Sequence, residues 1–282
     1  MRRRALQWVA TALVAGCAGG AQAPASKRVA LVIGNSAYEN APALVNPAND
    51  AADMCAALGR LGFRTLCHTD LRDRAEFEAR VAEYVAALDG ASAGVVYYSG
   101  HGVQAGNANF LIPTKVQLKS LQDNPTRVLY PVDELFDRLR AATPRFQMVV
   151  LDACRTDLFG AAPGGTGRSL LLRALKNNAQ AGNGLLPIKD APPATLVLYA
   201  TASKDIAFDG EGRNGPLTKH VLQHIGTRGQ TVEDFIKRVT SGVERETQTL
   251  YGKRQTPYVY GSFAGTFCFA GCPGTGGAGI AF

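Results

Sequence analysis

The chain has 282 residues, 46% of them hydrophobic and 19% charged, an ordinary globular composition that argues against a largely disordered or repeat architecture. The formal charge is +7, and removing Arg2, Arg3 and Arg4 of the N-terminal leader leaves 7 − 3 = +4 for the body. That balance is mild, and no Lys/Arg run is interleaved with aromatics, so nucleic acid is not an expected partner.

The first 23 residues read as an export signal: a basic MRRR, a short apolar run ALQWVATALVAG, and AQA at Ala21 to Ala23 as a signal-peptidase site. The run is too short to span a bilayer. A second reading stays open beside it, in which Val14-Ala15-Gly16-Cys17 is a lipobox and Cys17 carries a lipid anchor. Either one places the body outside the cytoplasm, periplasmic or attached to the envelope.

Strands and helices then alternate. RVALVIG (Arg28 to Gly34) is a buried parallel strand closed by glycine. Asn46 to Leu61 has helical spacing, Gly62 ends it, and Phe63 to Cys67 is the second strand. Arg74 to Leu88 is the second helix, GVVYYS (Gly94 to Ser99) the third strand and Val132 to Ala141 the third helix. Gln147 to Asp152 and Thr195 to Ala200 are further strands, and helices follow near Gly215–Ile225 and Thr231–Glu246. A last strand is expected near Ser262 to Phe269. This alternation predicts an α/β fold, with a mostly parallel sheet of about six strands and helices on both faces. Gly160 to Pro193, rich in Gly, Ala, Asn and Pro, reads as a long loop with periodicity only at Ser169 to Leu175, and the tail from Gly271 to Phe282 reads as poorly ordered.

In such sheets the site lies beyond the carboxyl ends of the strands. Strand three ends YYSGHG (Tyr97 to Gly102) and strand four ends LDACR (Leu151 to Arg155). If the two are neighbours, His101 and Cys154 meet and form an activated nucleophile. The glycines beside His101 admit a substrate carbonyl, and the N–H groups of Gly102 and Cys154 can form an oxyanion hole. Alternation puts Asp152 and Cys154 on one side. The other cysteines pair by position: Cys55 with Cys67 and Cys268 with Cys272 are candidate disulfides in an oxidising compartment, which leaves Cys154 unpaired. A buried, inert cysteine is the bland alternative.

These motifs, together with RVALVIGNSAYENAPALVNPANDAADMCAALGRLGF, GVVYYSGHGVQAGNANFLIPTKV, MVVLDACR and LVLYATASKDIAFDGEGRNGPLTKHVLQHI, resemble the caspase-like clan of cysteine peptidases, in particular the bacterial metacaspase-like branch with a p20-type domain. The resemblance covers Lys27 to Phe269. It implies a caspase-like three-layer sandwich over residues 24–270, with a large-subunit-like part at 27–159, a linker at 160–193 and a small-subunit-like part at 194–270. It implies Cys154 as nucleophile, His101 as general acid/base, and an acidic S1 pocket of Asp50, Ser99 and Asp152. Two carboxylates there hold a guanidinium or ammonium by charge-assisted hydrogen bonds and repel an acidic P1 residue, so peptides or proteins with Arg or Lys at P1 are the expected partners. For Asp50, capping of the following helix is the structural alternative. Arg168, Arg173, Lys176 and Lys189 become candidate self-cleavage sites. The residues after DACR, Thr156-Asp157-Leu158, depart from the Asn-rich pattern of many bacterial members. The acids of the family's calcium site find no match, so no cofactor is expected and calcium activation has no support in the sequence.

Other chemistries find less support. His220 and His224 have i, i+4 spacing but neither a HExxH glutamate nor a third ligand, so no metal is expected. His68, beside Cys67 at a strand end, reads as solvated or packed. GNSAY (Gly34 to Tyr38) is not a serine-hydrolase elbow, and no phosphate loop follows a strand. The competing functions are a catalytically silent binding or scaffold module of the cell envelope and a cysteine hydrolase of non-peptide amides. Oligomeric state is left open.

Overall fold

The computed structural model describes residues 27–120, 122–142, 144–154, 169–178, 181–183, 185–188, 190–201, 207–208, 210–273 and 280–281. The leader with Cys17, the Thr156-Asp157-Leu158 stretch, and the candidate cleavage residues Arg168 and Lys189 lie outside the described residues.

The chain runs β1 (Arg28–Gly34), α1 (Pro47–Arg60), β2 (Arg64–Thr69), α2 (Arg74–Ala87), β3 (Ala93–Ala105) and β4 (Ala108–Leu111). A 3-10 turn at Pro125–Val128, β5 (Tyr130–Pro131), α3 (Val132–Ala141) and β6 (Phe146–Cys154) follow. The second half comprises α4 (Leu170–Asn178), β7 (Ala181–Asn183), β8 (Thr195–Tyr199), α5 (Pro216–His224), α6 (Val232–Tyr251), β9 (Tyr258–Ser262), β10 (Thr266–Phe267) and β11 (Ile280–Ala281).

The main sheet has the order β2-β1-β3-β6-β8-β9. Its first five strands are parallel and β9 is antiparallel to β8. Strand alternation sorts the apolar residues into two layers. Ala30, Val32, Val95, Met148, Val150 and Leu198 face one way, against Met54 and Leu58 of α1, Leu217 and Val221 of α5 and Phe235 and Val239 of α6. Val29, Leu31, Ile33, Val96, Val149, Leu151 and Val197 face the other way, against Phe77 and Val81 of α2 and Leu135 and Phe136 of α3. The fold is thus a mostly parallel α/β three-layer sandwich.

Three findings differ from the sequence reading. First, β3 does not stop at Ser99. It leaves the parallel sheet and continues to Ala105 as a hairpin with β4, because Val103, Phe110 and Ile112 have their own apolar cluster to enter. Second, Gly160–Pro193 is not a loop throughout. Leu171, Leu172 and Leu175 bury one face of α4 in that same cluster, and β7 pairs antiparallel with β3. Third, the last sheet strand is Tyr258–Ser262, slightly earlier than expected, and Ile280–Ala281 of the tail pairs with Thr266–Phe267. Cys55 is joined to Cys67 and Cys268 to Cys272.

Gly34 sets how closely α1 approaches the sheet. A Cβ there would lie 2.2 Å from the Pro47 carbonyl oxygen and 2.7 Å from the Ala51 Cβ, and neither can retreat without moving the helix. Gly34→Ala is therefore expected to lower unfolding stability by about 2–3 kcal/mol, as overpacking does in a filled interior; urea denaturation measures it.

Candidate active site

The β3–β6 register builds the site. Ser99 lies opposite Asp152, Gly100 opposite Ala153 and His101 opposite Cys154. The structure therefore brings the backbones of the proposed dyad side by side at the carboxyl end of the central strand pair.

His101 is fully buried. Its Nε2 lies 2.7 Å from the carbonyl oxygen of Pro42. A carbonyl only accepts, so Nε2 carries the hydrogen and Nδ1 is the basic atom of the neutral ring. Sequence reasoning missed this contact because any residue type can supply a carbonyl. The Pro42 loop is held in turn: Ser36 N–H and Ala37 N–H donate to Asp70 Oδ1 at 2.8 and 2.9 Å, and Ser169 Oγ, just before α4, donates to Asn40 O at 2.5 Å. Asp70 adopts φ 53°, a left-handed conformation that aspartate tolerates.

The acids converge on the face of the sheet that carries α1 and α5. Asp50, in the first turn of α1, is 1% exposed, and Asp152 is 5% exposed. Asp50 Oδ2 accepts from Ser99 Oγ at 3.1 Å, and its Oδ1 accepts from Asn214 Nδ2 and from the N–H of Gly215, the N-cap of α5, each at 3.1 Å. Burial, reinforced by the charge of Asp152, pushes the Asp50 carboxyl up to about 7, against the pull of those three hydrogen bonds. Asp50 lies in the first turn of its helix but does not cap it: the N-cap residue Asn46 makes no side-chain cap bond, and the Ala48 N–H of that turn goes to Ser36 Oγ. The bonds of Asp50 run instead to Ser99 and to the start of α5.

Asp152 is held by a directional chain. Thr218 Oγ donates to Asp152 Oδ2 at 2.6 Å, which uses its single hydrogen, so the Tyr97 hydroxyl 2.5 Å away donates to Thr218. Burial raises the Tyr97 phenol well above its usual range and keeps that donor protonated. Thr218 and Asn214 were not singled out in the sequence. Their signal lay in GRNGPLTKH, where an Asn and a Thr bracket the Gly-Pro start of a helix. Beside them Arg213 makes a bidentate pair with Asp53, with Nε to Oδ2 at 2.8 Å and a terminal nitrogen to Oδ1 at 3.0 Å.

Gly102 lies opposite Leu111 of β4, while Ile112 N–H donates to His101 O at 3.1 Å. That pattern marks a non-hydrogen-bonded pair, whose N–H and C=O point away from each other. The Gly102 N–H therefore turns toward the opposite edge of β3. There Cys154 lies opposite His101 and Asn183 opposite Val103, and Gly102 falls between them. Gly100 has a packing role that the sequence did not show. A Cβ there would lie 2.6 Å from both the Tyr38 and the Tyr98 hydroxyl oxygens, so this glycine makes room for the two tyrosines. His220 bonds Glu246 at 2.8 Å, and among the described residues no group of three or more metal-ligating side chains converges.

A histidine in register with a cysteine at the end of a parallel sheet defines the class: a cysteine-peptidase-like α/β domain. Residues 27–267 match the caspase domain model of peptidase family C14, and the chain belongs to that family. It is similar to human mucosa-associated lymphoid tissue lymphoma translocation protein 1, with 29% identity over 133 residues, 46% of this chain and 15% of the relative. The mouse homologue is 28% identical over 131 residues, again 46% of this chain and 15% of the relative. The chain thus spans only a small part of these relatives. The crystal structure of caspase-1 from Spodoptera frugiperda superposes with a TM-score of 0.59 at 12% identity, covering 87% of this chain and 92% of the other, a likeness of fold.

The raised Asp50 carboxyl has a signed consequence. Its usual value is 3.8 and its folded value about 7, so between those pH values the folded state binds the extra proton and stability falls as pH rises. Asp50→Asn removes that loss. The Tm of the variant relative to the parent is expected to move upward by at least about 3 °C between pH 5 and pH 8; calorimetry at the two pH values checks the direction.

Proposed function

We propose that this domain is a cysteine endopeptidase that cleaves after Arg or Lys. The observation that carries the reading is the join of Asp50, Ser99 and Asp152 beside the His101–Cys154 register pair. Two carboxylates in a low-dielectric site favour a guanidinium, whose planar fork can reach both, and reject an acidic side chain. Both acids are almost fully covered, so the guanidinium enters only if the groups above them move. Its charge then ionises Asp50 fully.

In the proposed cycle His101 Nδ1 takes the Cys154 thiol proton, while Nε2–H stays on Pro42 O and fixes the tautomer. The thiolate attacks the carbonyl carbon after P1. The oxyanion is received by the Gly102 and Cys154 N–H groups. His101 returns the proton to the leaving amine, the C–N bond breaks, and a thioester remains. Water gives a proton to His101 and attacks the thioester carbon; the C–S bond breaks, the acid leaves, and His101 returns the proton to the Cys154 thiolate.

Self-processing within 160–193 is part of this proposal, with a shift in emphasis. Arg173 and Lys176 are exposed on α4. A peptidase cleft takes extended chain, so cutting at either of these two requires the helix to unwind. The sequence features of the leader support export, with or without lipid on Cys17.

The test uses residues 24–282 and fluorogenic peptides with Arg, Lys or Asp at P1, with and without calcium. Arg and Lys peptides are expected to be cut and Asp peptides spared. Cys154→Ala is expected to lower the rate by at least about 1,000-fold, and KM for Arg peptides to fall as pH rises through 7, as Asp50 gains its charge. Turnover of Asp peptides, or turnover that survives Cys154→Ala, would refute the assignment. A folded protein that cuts nothing would favour the binding-module reading.

A further inference from the structure

The motif GNSAY has a structural job at nearly every position. Gly34 admits α1, and Asn35 ties Leu71 and Ile112 together through its Oδ1 (3.0 Å) and Nδ2 (3.2 Å). Ser36 Oγ accepts the Ala48 N–H at 2.9 Å, at the start of α1. Tyr38 reaches His101. Its hydroxyl oxygen accepts the His101 N–H at 2.7 Å, and it lies 3.3 Å from the Tyr98 hydroxyl. Tyr98 donates to the His101 carbonyl at 2.8 Å.

The directions follow from the ends. A backbone N–H only donates and a carbonyl only accepts. The Tyr98 hydrogen is committed to the carbonyl, so Tyr98 oxygen is the acceptor for Tyr38. The result is a closed circuit that leaves His101 at its N–H, passes through Tyr38 and Tyr98, and returns to the same residue at its C=O. The Tyr38–Tyr98 link is long for a hydroxyl pair and is the weakest of the three. Tyr38 also lies against the imidazole itself, with ring centroids 4.4 Å apart at 47°. Gly100 supplies an independent sign that the hydroxyl pair is built in, since any side chain there would fill the space that the two hydroxyls occupy.

We infer that Tyr38 is a positioning residue, which with Tyr98 fixes the backbone and ring plane of His101 so that Nε2–H stays on Pro42 O and Nδ1 faces its task. The location explains the need. His101 is the last residue of β3 paired with β6, and the strand leaves the parallel sheet immediately after it. Backbone at such a branch lacks a full ladder on both edges, and the tyrosine circuit substitutes for it. The inference rests on the peptidase reading for the meaning of the task, but the circuit can be measured without turnover.

The experiment compares Tyr38→Phe, Tyr98→Phe and the double variant, with Tyr38→Leu to remove the ring as well. Phe keeps the packing, and thermal melts verify the fold. For Arg peptides, Tyr38→Phe is expected to lower kcat about tenfold with KM within about twofold, because the substrate-binding acids are untouched. Two members of one circuit should not add, so the double variant should be no worse than about twofold below the poorer single. In parallel, 15N NMR of the imidazole, assigned with His101→Gln, should show a single Nε2–H tautomer in the parent and a tautomer mixture in Tyr38→Leu. Unchanged kcat in Tyr38→Phe, multiplicative losses in the double variant, or an unchanged tautomer in Tyr38→Leu would each overturn the inference. If the parent itself cuts no peptide, the peptidase reading fails and the tautomer spectrum alone decides this one.

Discussion

β3 and β6 run parallel in unbroken register from Ala93 opposite Phe146 to His101 opposite Cys154. The rest of the site depends on that pairing. In a strand the side-chain period is two, so a shift of one residue would exchange the faces of every side chain. Asp152 would then leave the layer of α1 and α5, and no choice of side chains elsewhere could restore the cluster. The register is fixed by burial on both faces: Val95, Tyr97, Met148 and Val150 fill one layer, and Val96, Tyr98, Val149 and Leu151 fill the other. The apolar core therefore specifies the position of the polar site.

The Tyr97–Tyr98 pair shows the same rule at close range. The two phenols leave the strand on opposite faces. Tyr97 enters the α1/α5 layer and starts the chain through Thr218 to Asp152. Tyr98 enters the α2/α3 layer and closes the circuit on His101. Two adjacent residues of one type thus serve separate parts of the site: one holds Asp152 through Thr218, the other holds the backbone of His101. Buried polar groups of this kind are costly unless fully bonded; the Tyr97 phenol ends on Thr218 of α5, which passes the chain on to Asp152, and the Tyr98 phenol ends on the His101 carbonyl.

Much of this was legible in the sequence. The strand and helix order around β1, β2, β3, β6 and β8 followed from apolar runs and helical spacing, and the positions of Asp50, Ser99, His101, Asp152 and Cys154 followed from strand ends and a family resemblance. What stayed hidden is long-range or backbone-borne. Pro42 acts through a carbonyl, which no residue type announces. Tyr38 and Thr218 look like ordinary core residues until the fold places them against His101 and Asp152. The helix at Leu170–Asn178 gains its stability from a cluster made by the β3–β4 hairpin and the Tyr38 loop, so a short, Gly-flanked segment gave no strong local signal. The packing role of Gly100 stayed hidden because Tyr38 and Tyr98 reach it only across space.

The central claim is that the buried acids and Cys154 form one cleft that reads a basic side chain. The most direct measurement is covalent labelling by matched peptidyl fluoromethyl ketones ending in Arg or Asp, with the modified residue located by peptide mass spectrometry. The account predicts a single adduct on Cys154, formed much faster with the Arg probe and slowed toward the Asp rate by Asp152→Asn. Labelling of Cys154 at equal rates by both probes, or selective labelling that ignores Asp152→Asn, would contradict it.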